Sequence, residues 1–178
     1  MIKKRLETVF TELAQLPKFI DEENMEELLG ALTKAKRIAV LGAGRSALAL
    51  KMVAMRLRHL GLDAYVAGET ISPALGEGDL LLVASGSGKT ESTCAIAKRA
   101  RANGATVWAL TGTDSSPLAE IVHGLTILPT ATNASSVQFG GSLPEACIVL
   151  LGDALVLELM ERLGQGHGDM MRRHTNLE

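Results

Sequence analysis

Aromatic residues are scarce in this chain, and so is net charge. Phe, Tyr and Trp together make up 3% of the 178 residues, and the formal net charge is −2. The low aromatic content removes the side chains on which nucleic-acid bases stack. Scattered cations on a slightly acidic chain also give no electrostatic footprint for binding a phosphate backbone. We therefore expect no nucleic-acid partner, and an apolar core built from aliphatic side chains.

The sequence also lacks a cysteine framework, a cluster of metal ligands and a membrane segment. Its two cysteines, Cys94 and Cys147, lie far apart in apolar helical contexts, where a free cysteine behaves as a small hydrophobe. No apolar run reaches the roughly 20 residues that a transmembrane helix needs. Glu7 and Glu12 interrupt the apolar segment that a signal peptide would require after its basic start. A cytoplasmic protein without metal, cofactor or membrane partner is expected.

What the chain does contain is a regular alternation of apolar strands and helical segments. Residues 1–35 predict two amphipathic helices, residues 36–163 an α/β core, and residues 164–178 a polar, solvated tail. Strands are predicted over residues 37–41, 63–67, 79–84, 105–110 and 124–128. Helices are predicted over residues 46–60, 90–103 and 143–163, with a short helix after the loop of residues 111–117. This alternation predicts one domain, a three-layer α/β sandwich with a five-stranded parallel sheet flanked by helices.

Two loops rich in glycine and serine follow the first and third predicted strands. The first loop is Gly42-Ala-Gly-Arg-Ser-Ala47, and the second loop is Ser85-Gly-Ser-Gly-Lys-Thr90. Because the carboxyl ends of parallel strands meet at one edge of the sheet, both loops are expected on the rim where open α/β sheets bind ligands. Each loop also opens a helix, whose free N–H groups and partial positive charge attract phosphate.

Three other interpretations of these loops exist. The first loop has the form of a dinucleotide fingerprint, but Glu69 lies beyond the place expected for the ribose-binding acid. The second loop resembles the end of a P-loop, but Val83, inside the strand, stands where a P-loop needs glycine. The second loop could also be an ordinary strand-to-helix turn capped by Ser87. Its three hydroxyls and two glycines exceed what a cap needs, so we favour a phosphate site.

Glu145 and two histidines are the candidates for acid–base chemistry. Glu145 lies in the first turn of the predicted helix over residues 143–163, where an acid either complements the helix dipole or acts as a partly desolvated general base. His59 lies near the end of the helix that follows the first loop, where the alternative is a cation at a helix C-terminus. His174 lies in the tail, where a solvated side chain is the default. The local sequence leaves these alternatives open.

Taken together, four segments resemble the 6-phospho-3-hexuloisomerase family, whose members are stand-alone SIS (sugar isomerase) domains. The segments are Gly42-Ala-Gly-Arg-Ser46, Ser85-Gly-Ser-Gly-Lys-Thr90, Gly141-Ser-Leu-Pro-Glu145 and His174-Thr-Asn-Leu-Glu178. The resemblance covers nearly the whole chain and implies interconversion of D-arabino-hex-3-ulose 6-phosphate and fructose 6-phosphate, a step of the ribulose monophosphate route of formaldehyde fixation. It also implies a homo-oligomer, a tetramer or a dimer, and functional coupling to hexulose-6-phosphate synthase.

The resemblance also assigns roles to residues at matching positions. Glu145 would be the base, carrying a proton between C2 and C3 through a cis-enediol without any metal or cofactor. His174, contributed across a subunit interface, would assist ring opening or proton shuttling, and His59 is a second candidate. The expected substrate- and phosphate-binding residues are Gly44, Arg45, Ser46, Ser85, Gly86, Ser87, Gly88 and Thr90.

Two alternatives to this function remain within the resemblance. One is an isomerase of another sugar phosphate, and the other is a sugar-phosphate-binding SIS protein without catalysis. Regulators of that second kind usually carry a fused DNA-binding domain, and residues 1–35 are too short and too weakly basic for one. The chain departs from the family pattern at Lys89, where the family usually has an acid, and at Pro144, where it commonly has an aromatic residue. Lys89 would add one positive charge to the second loop.

Overall fold

The computed structural model describes residues 1–177, and a five-stranded parallel sheet lies at its centre. The strands are β1 (Ile38–Leu41), β2 (Ala64–Val66), β3 (Leu80–Ser85), β4 (Thr106–Thr111) and β5 (Gly124–Ile127). They lie side by side in the order β2-β1-β3-β4-β5, and each neighbouring pair is parallel. The chain order therefore reverses between β1 and β3, and the two loops that follow these strands flank the topological switch point of the sheet.

Helices cover both faces of the sheet, which confirms the predicted three-layer α/β sandwich. The helices are α1 (Ile2–Leu13), α2 (Glu22–Lys34), α3 (Gly44–His59), α4 (Glu91–Ala102), α5 (Ser142–Arg162) and α6 (His167–Arg173), with a short 3-10 helix at Leu16–Phe19. Side chains of α2, α3 and α5 form the core on one face of the sheet. On the other face, the core contains side chains of α4 and of the segment after β4. In residues 1–177, no helix has both the length and the apolarity that crossing a bilayer would take.

The central strand β3 is apolar at almost every position because both of its faces are buried. Leu80 and Leu82 pack into the core on the side of α3 and α5, whereas Leu81 and Val83 pack into the core on the side of α4. Successive side chains of a strand point to opposite faces, and both faces of a parallel sheet are covered by helices. Burying β3 on both faces fixes the position at which its last residue, Ser85, enters the second loop.

Helices α3 and α5 lie against each other and run in the same direction. Arg45 and Glu145 are in contact near the amino ends of the two helices, and a Cβ atom added to Gly152 would lie 2.4 Å from Cγ2 of Val53, about two turns further along. This close approach requires glycine at position 152. The packing brings the first turn of α5 to the carboxyl rim of the sheet, beside the first turn of α3.

The predicted polar tail differs from the structure, because residues 167–173 form helix α6. The carboxylate of Asp169 accepts a hydrogen bond from the N–H of Gly166 at 2.8 Å, which stabilises the start of the helix. Arg173 donates to the carbonyl of His59 at 3.0 Å and to Gln165 at 2.9 Å, and so holds α6 against the end of α3. Glu178, the last residue of the C-terminal motif, lies outside the described residues.

Two local predictions were also wrong. The short helix expected after residues 111–117 is a series of turns, in which the N–H of Leu118 donates to the carbonyl of Gly88 at 3.1 Å. Helix α3 begins at Gly44, two residues before the predicted start, since glycine tolerates the positive φ of 54° found there. The alternative of a turn capped by Ser87 does not hold either, because the N-cap residue of α4 is Thr90.

Candidate active site

Three segments converge at the carboxyl rim of the sheet: the first loop, the second loop and the first turn of α5. The guanidinium of Arg45, in the first loop, donates to the carboxylate of Glu145. A Cβ atom added to Gly86, in the second loop, would lie 3.7 Å from Cγ of Pro144, so this loop lies against the same turn of α5. The structure therefore brings Glu145 next to both loops that were predicted to bind phosphate.

The backbone conformation of the second loop requires glycine at position 88. Gly88 adopts a φ of +63°, and a Cβ atom at this position would lie 2.1 Å from Oγ of Ser116. The hydroxyls of Ser85 and Thr90 are 3.0 Å apart across the loop, and Ser85 is buried. The ends of the loop are thus held together from inside, and its remaining polar groups lie on the outer side.

Donors for an anion are concentrated at the outer side of the second loop and the start of α4. The first hydrogen bond of that helix runs from the N–H of Cys94 to the carbonyl of Thr90 at 2.9 Å, so the amides of residues 91–93 precede it. Ser87 and Lys89 are exposed beside them. Free amides at a helix N-terminus with an adjacent hydroxyl and an ammonium group form a setting that attracts phosphate.

The first loop is a tight turn with an arginine directed across it. A Cβ atom at Gly42 would lie 2.8 Å from the backbone nitrogen of Ala47, which leaves room only for glycine. Ser46 is half-buried. The Arg45 side chain is 68% exposed while its partner Glu145 is 14% exposed, so the arginine covers the carboxylate from the solvent side. Arg45 was predicted to bind substrate, and the structure places it on the candidate base.

The Glu145 carboxylate lies in a confined place. A Cβ atom at Gly141, the N-cap residue of α5, would lie 3.0 Å from Oε1 of Glu145, because the side chain folds back over this glycine. The carboxylate is thereby held between Gly141 and Arg45. A carboxyl group that is largely removed from solvent, next to an anion site, is the kind of group that proton abstraction from a bound phosphosugar requires.

The two candidate histidines lie together, but elsewhere. His59 is the last residue of α3, and His174 directly follows α6; their ring centroids are 5.0 Å apart with an interplanar angle of 30°. His59 is buried and its Nδ1 lies 3.3 Å from Nη1 of Arg56, whereas His174 is exposed. Burial, the charge of Arg56 and the neighbouring His174 lower the pKa of His59 below its ordinary value.

Within one chain, these histidines do not reach Glu145. Arg45 and His59 lie in the first and last turns of α3, and a rise of 1.5 Å per residue separates them by about 20 Å. The predicted site is therefore divided. The two loops and Glu145 lie at the amino end of α3, and the histidine pair lies at its carboxyl end.

Comparison with known proteins identifies the family. The family model described as "SIS domain" matches residues 31–150. This chain belongs to the SIS domain family. Within this family, the chain is 38% identical to the 3-hexulose-6-phosphate isomerase of Mycobacterium gastri over 99% of its own length and 92% of that protein. It is 35% identical to the enzyme of the same name from Bacillus subtilis, over 96% and 95% of the two chains. It thus groups with the 3-hexulose-6-phosphate isomerases.

A solved structure shows the same SIS fold. It is a protein of Methanococcus jannaschii whose structure was described as inferring a molecular function of 3-hexulose-6-phosphate isomerase. The two chains are 30% identical and superpose with a TM-score of 0.83 over 98% of this chain and 99% of the other.

Two residues that support the site were not predicted from the sequence. Ser116 fills the space next to Gly88, and Glu12 is a buried carboxylate on α1 that binds the segment before α5. In the sequence, Glu12 stands out only as an interruption of an apolar run. No local pattern marks either residue, because their partners lie far away in the chain.

Proposed function

We propose that this SIS domain is an isomerase that interconverts D-arabino-hex-3-ulose 6-phosphate and fructose 6-phosphate. The observation that carries the proposal is the Glu145 carboxylate, confined beside two helix-opening loops that can hold a phosphate. The full-length similarity to proteins named 3-hexulose-6-phosphate isomerase supports the choice of substrate. Binding the phosphate at the second loop would position the reacting carbons of the sugar over the carboxylate.

The reaction needs one base that serves two adjacent carbons. Glu145 would take the proton from C2 and return it to C3, while the hydroxyl proton on O2 moves to O3, so that the carbonyl moves from C3 to C2 through a cis-enediol. No atom enters or leaves the sugar. A carboxylate held from two sides by Gly141 and Arg45 can keep its place over both carbons during this transfer.

We further propose that the protein is a homo-oligomer, a tetramer or a dimer, in which His174 of one subunit completes the site of another. Leu48, Met52 and Met55 form an exposed apolar stripe along α3, 62%, 50% and 47% exposed. Their spacing of three and four residues puts them on the same face of the helix as Arg45 and His59. A contiguous apolar stripe of this kind is typical of a surface that another chain covers.

The stripe also explains how the two parts of the site could meet. Met52 lies midway between Arg45 and His59 on α3. If two copies packed their stripes together antiparallel about a two-fold axis near Met52, the carboxyl end of each α3 would come to the amino end of the other. His174 would then lie near the Glu145 carboxylate of the partner subunit, and His59 would support its ring from behind.

The proposed reaction is tested by incubating the purified protein with enzymatically generated hexulose 6-phosphate and measuring the fructose 6-phosphate formed. Arabinose 5-phosphate and a heptose phosphate, assayed in parallel, test the alternative of another sugar phosphate. Turnover of one of these in place of hexulose 6-phosphate would overturn the substrate assignment. Binding of the phosphosugars without any turnover would favour the non-catalytic alternative.

The proposed assembly is tested by the molar mass in solution. Met52→Glu should lower it, because a buried charge in the stripe opposes association. Ile96→Glu, on the partly exposed outer side of α4 and away from the stripe, is the matched control and should leave the molar mass unchanged. A wild-type monomer with full activity would refute the shared site. Coupling to hexulose-6-phosphate synthase remains part of the proposal, and co-purification of the two enzymes would test it.

A further inference from the structure

Helix α1 lies on the outside of the fold, yet its carboxyl end carries a buried acid. Glu12 is 6% exposed and is the buried residue of this helix. Its carboxylate accepts hydrogen bonds from the hydroxyl of Ser136 at 2.5 Å, the N–H of Val137 at 3.0 Å and the side-chain amide of Gln138 at 2.9 Å. One carboxylate thus binds three consecutive residues, more than 120 positions away in the chain.

These bonds hold a segment that apolar packing does not hold. Residues 135–141 lead into α5, and their two large apolar side chains, Val137 and Phe139, are 77% and 95% exposed. In the part of the chain that the structure describes, every long-range hydrogen bond of this segment goes to Glu12. The remaining bonds are local, such as that from Gln138 N–H to the Ser136 hydroxyl at 3.0 Å. The place of the segment therefore depends on Glu12.

The segment ends at the residue against which the candidate base rests. Gly141 is the N-cap of α5, and the Glu145 side chain folds back over it, with Oε1 only 3.0 Å from where a Cβ atom of residue 141 would be. A shift of residues 139–141 would move this support, whereas Leu143 and Pro144 in the first turn of α5 are buried and would keep their place. In the described chain Glu12 makes no hydrogen bond to the second loop, which lies against Pro144, so the phosphate site would stay in place.

We propose that Glu12 is a positioning residue of the isomerase, which sets the place of Glu145 through the segment of residues 136–141. The inference rests on the proposed role of Glu145 as the base. A carboxylate is suited to this task because a charged acceptor makes stronger hydrogen bonds than a neutral one and can serve three donors at once. The same three donors keep the pKa of Glu12 below its ordinary range, so the acceptor stays ionised.

The test compares Glu12→Ala and Glu12→Gln with the wild type in the isomerase assay. Glu12→Ala should lower kcat about 10- to 100-fold, since a displacement of about 1 Å at a reacting group has effects of this size. KM for the phosphosugar should change less than about twofold, because the donors of the second loop are untouched. Glu12→Gln keeps one acceptor and should restore part of kcat. Glu7→Gln, an exposed acid on the same helix, is the control and should behave as wild type.

Hydrogen exchange separates this proposal from the proposed function. In Glu12→Ala, the amide of Val137 should exchange faster, while amides of β3 and the melting temperature stay close to wild type. A wild-type protein without isomerase activity would defeat the function but leave the exchange test of the contact intact. If Glu12→Ala retains kcat, so that any loss of kcat/KM comes from a higher KM alone, Glu12 is not a positioning residue for Glu145.

Discussion

The two ends of helix α3 have different surroundings. Glycines, hydroxyls and a carboxylate lie at its amino end, whereas two stacked imidazole rings lie at its carboxyl end. The amino end lies at the switch point of the sheet and offers free amides, which suit the binding of an anion. The carboxyl end lies about 20 Å away, under α6. Neither end alone contains an anion site, a base and an imidazole. We therefore propose that the two ends are parts of one site, which assembly of copies would join.

The two ends also differ in how they are held. At the amino end, tight turns at Gly42 and Gly88 fix the backbone, and side-chain substitution there is limited by contacts under 3 Å. At the carboxyl end, α6 is attached by Arg173, which donates to the carbonyl of His59, and by the partly buried Met170, which packs against the core. The amino end is thus preorganised for binding, while the carboxyl end depends on a short peripheral helix. Changes at the amino end should therefore act on chemistry and binding separately, and changes at the carboxyl end on chemistry alone.

The largest effect is expected from Glu145→Gln. General base catalysis contributes about 10²- to 10⁴-fold, and we expect kcat to fall by a factor in this range. Binding of inorganic phosphate, measured by calorimetry, should persist, because the second loop is unchanged. Glu161→Gln, an exposed acid on the same helix, serves as the control and should keep wild-type kcat. Turnover of Glu145→Gln at the wild-type rate would exclude Glu145 as the base.

A smaller loss, about 10²-fold in kcat, is expected from His174→Ala, because an acid–base group that assists the reaction gives an effect near the lower end of the same range. This variant also tests whether the two ends meet between subunits. When His174→Ala and Glu145→Gln chains are co-expressed and the mixed oligomer is purified through two tags, some sites should combine an intact Glu145 with an intact His174. Activity well above that of either variant is expected.

The mixed oligomer can also contradict a site that is shared between subunits. If its activity equals the average of the two variants, the histidine acts within its own chain or not at all. Co-expression of Glu145→Gln with wild-type chains is the control for the formation of mixed oligomers. Activity should then fall in proportion to the fraction of subunits that have lost the Glu145 carboxylate.

Much of the amino end was predictable from sequence because its signals are local. The apolar run of β3, the glycines of both loops and the helix starts after them lie within a few residues of each other. The predicted length of α3 also implied that His59 lies far from the first loop, since residues 46–60 as a helix span about 20 Å. His59 as a catalytic candidate therefore requires that it act on the Glu145 of another subunit.

What could not be predicted depends on contacts between distant positions. Arg45 and Glu145 are 100 positions apart, and Glu12 and Val137 are 125 apart. Arg45 was therefore assigned to the phosphate by position in its loop, and its pairing with the carboxylate had no local signal. Helix α6 was missed for the same reason, because its seven residues are held by an arginine that reaches the end of α3.

At the amino end, Ser87→Ala should raise KM for the phosphosugar about tenfold and leave kcat nearly unchanged. The Ser87 hydroxyl is exposed on the outer side of the second loop, and a hydrogen bond to a charged group contributes about 1.5 kcal/mol or more. Thr106→Ala, which removes an exposed hydroxyl at the opposite end of the sheet, is the control. An unchanged KM for Ser87→Ala would mean that the phosphate does not lie at this side of the loop.

The smallest expected effect is a pH dependence of stability that arises at the carboxyl end. The pKa of His59 is lowered in the folded protein, first by burial and then by Arg56 and His174. As the pH falls below about 6.5, the unfolded chain takes up a proton that the buried ring does not, so the free energy of unfolding decreases until the pH passes the folded pKa. Above about 6.5 both states are neutral at this residue, and the contribution vanishes.

The contribution of His59 can be measured from the melting temperatures of wild type and His59→Gln between pH 5 and pH 8. It is the difference between the two slopes of melting temperature against pH. For a protein of this size, 1 kcal/mol corresponds to about 2–4 °C, and the slope difference should be of that order or less. His167→Gln, which removes an exposed histidine on α6, is the control for the loss of an imidazole ring. If His59→Gln keeps the wild-type slope, burial of the His59 imidazole at the carboxyl end of α3 has no energetic consequence.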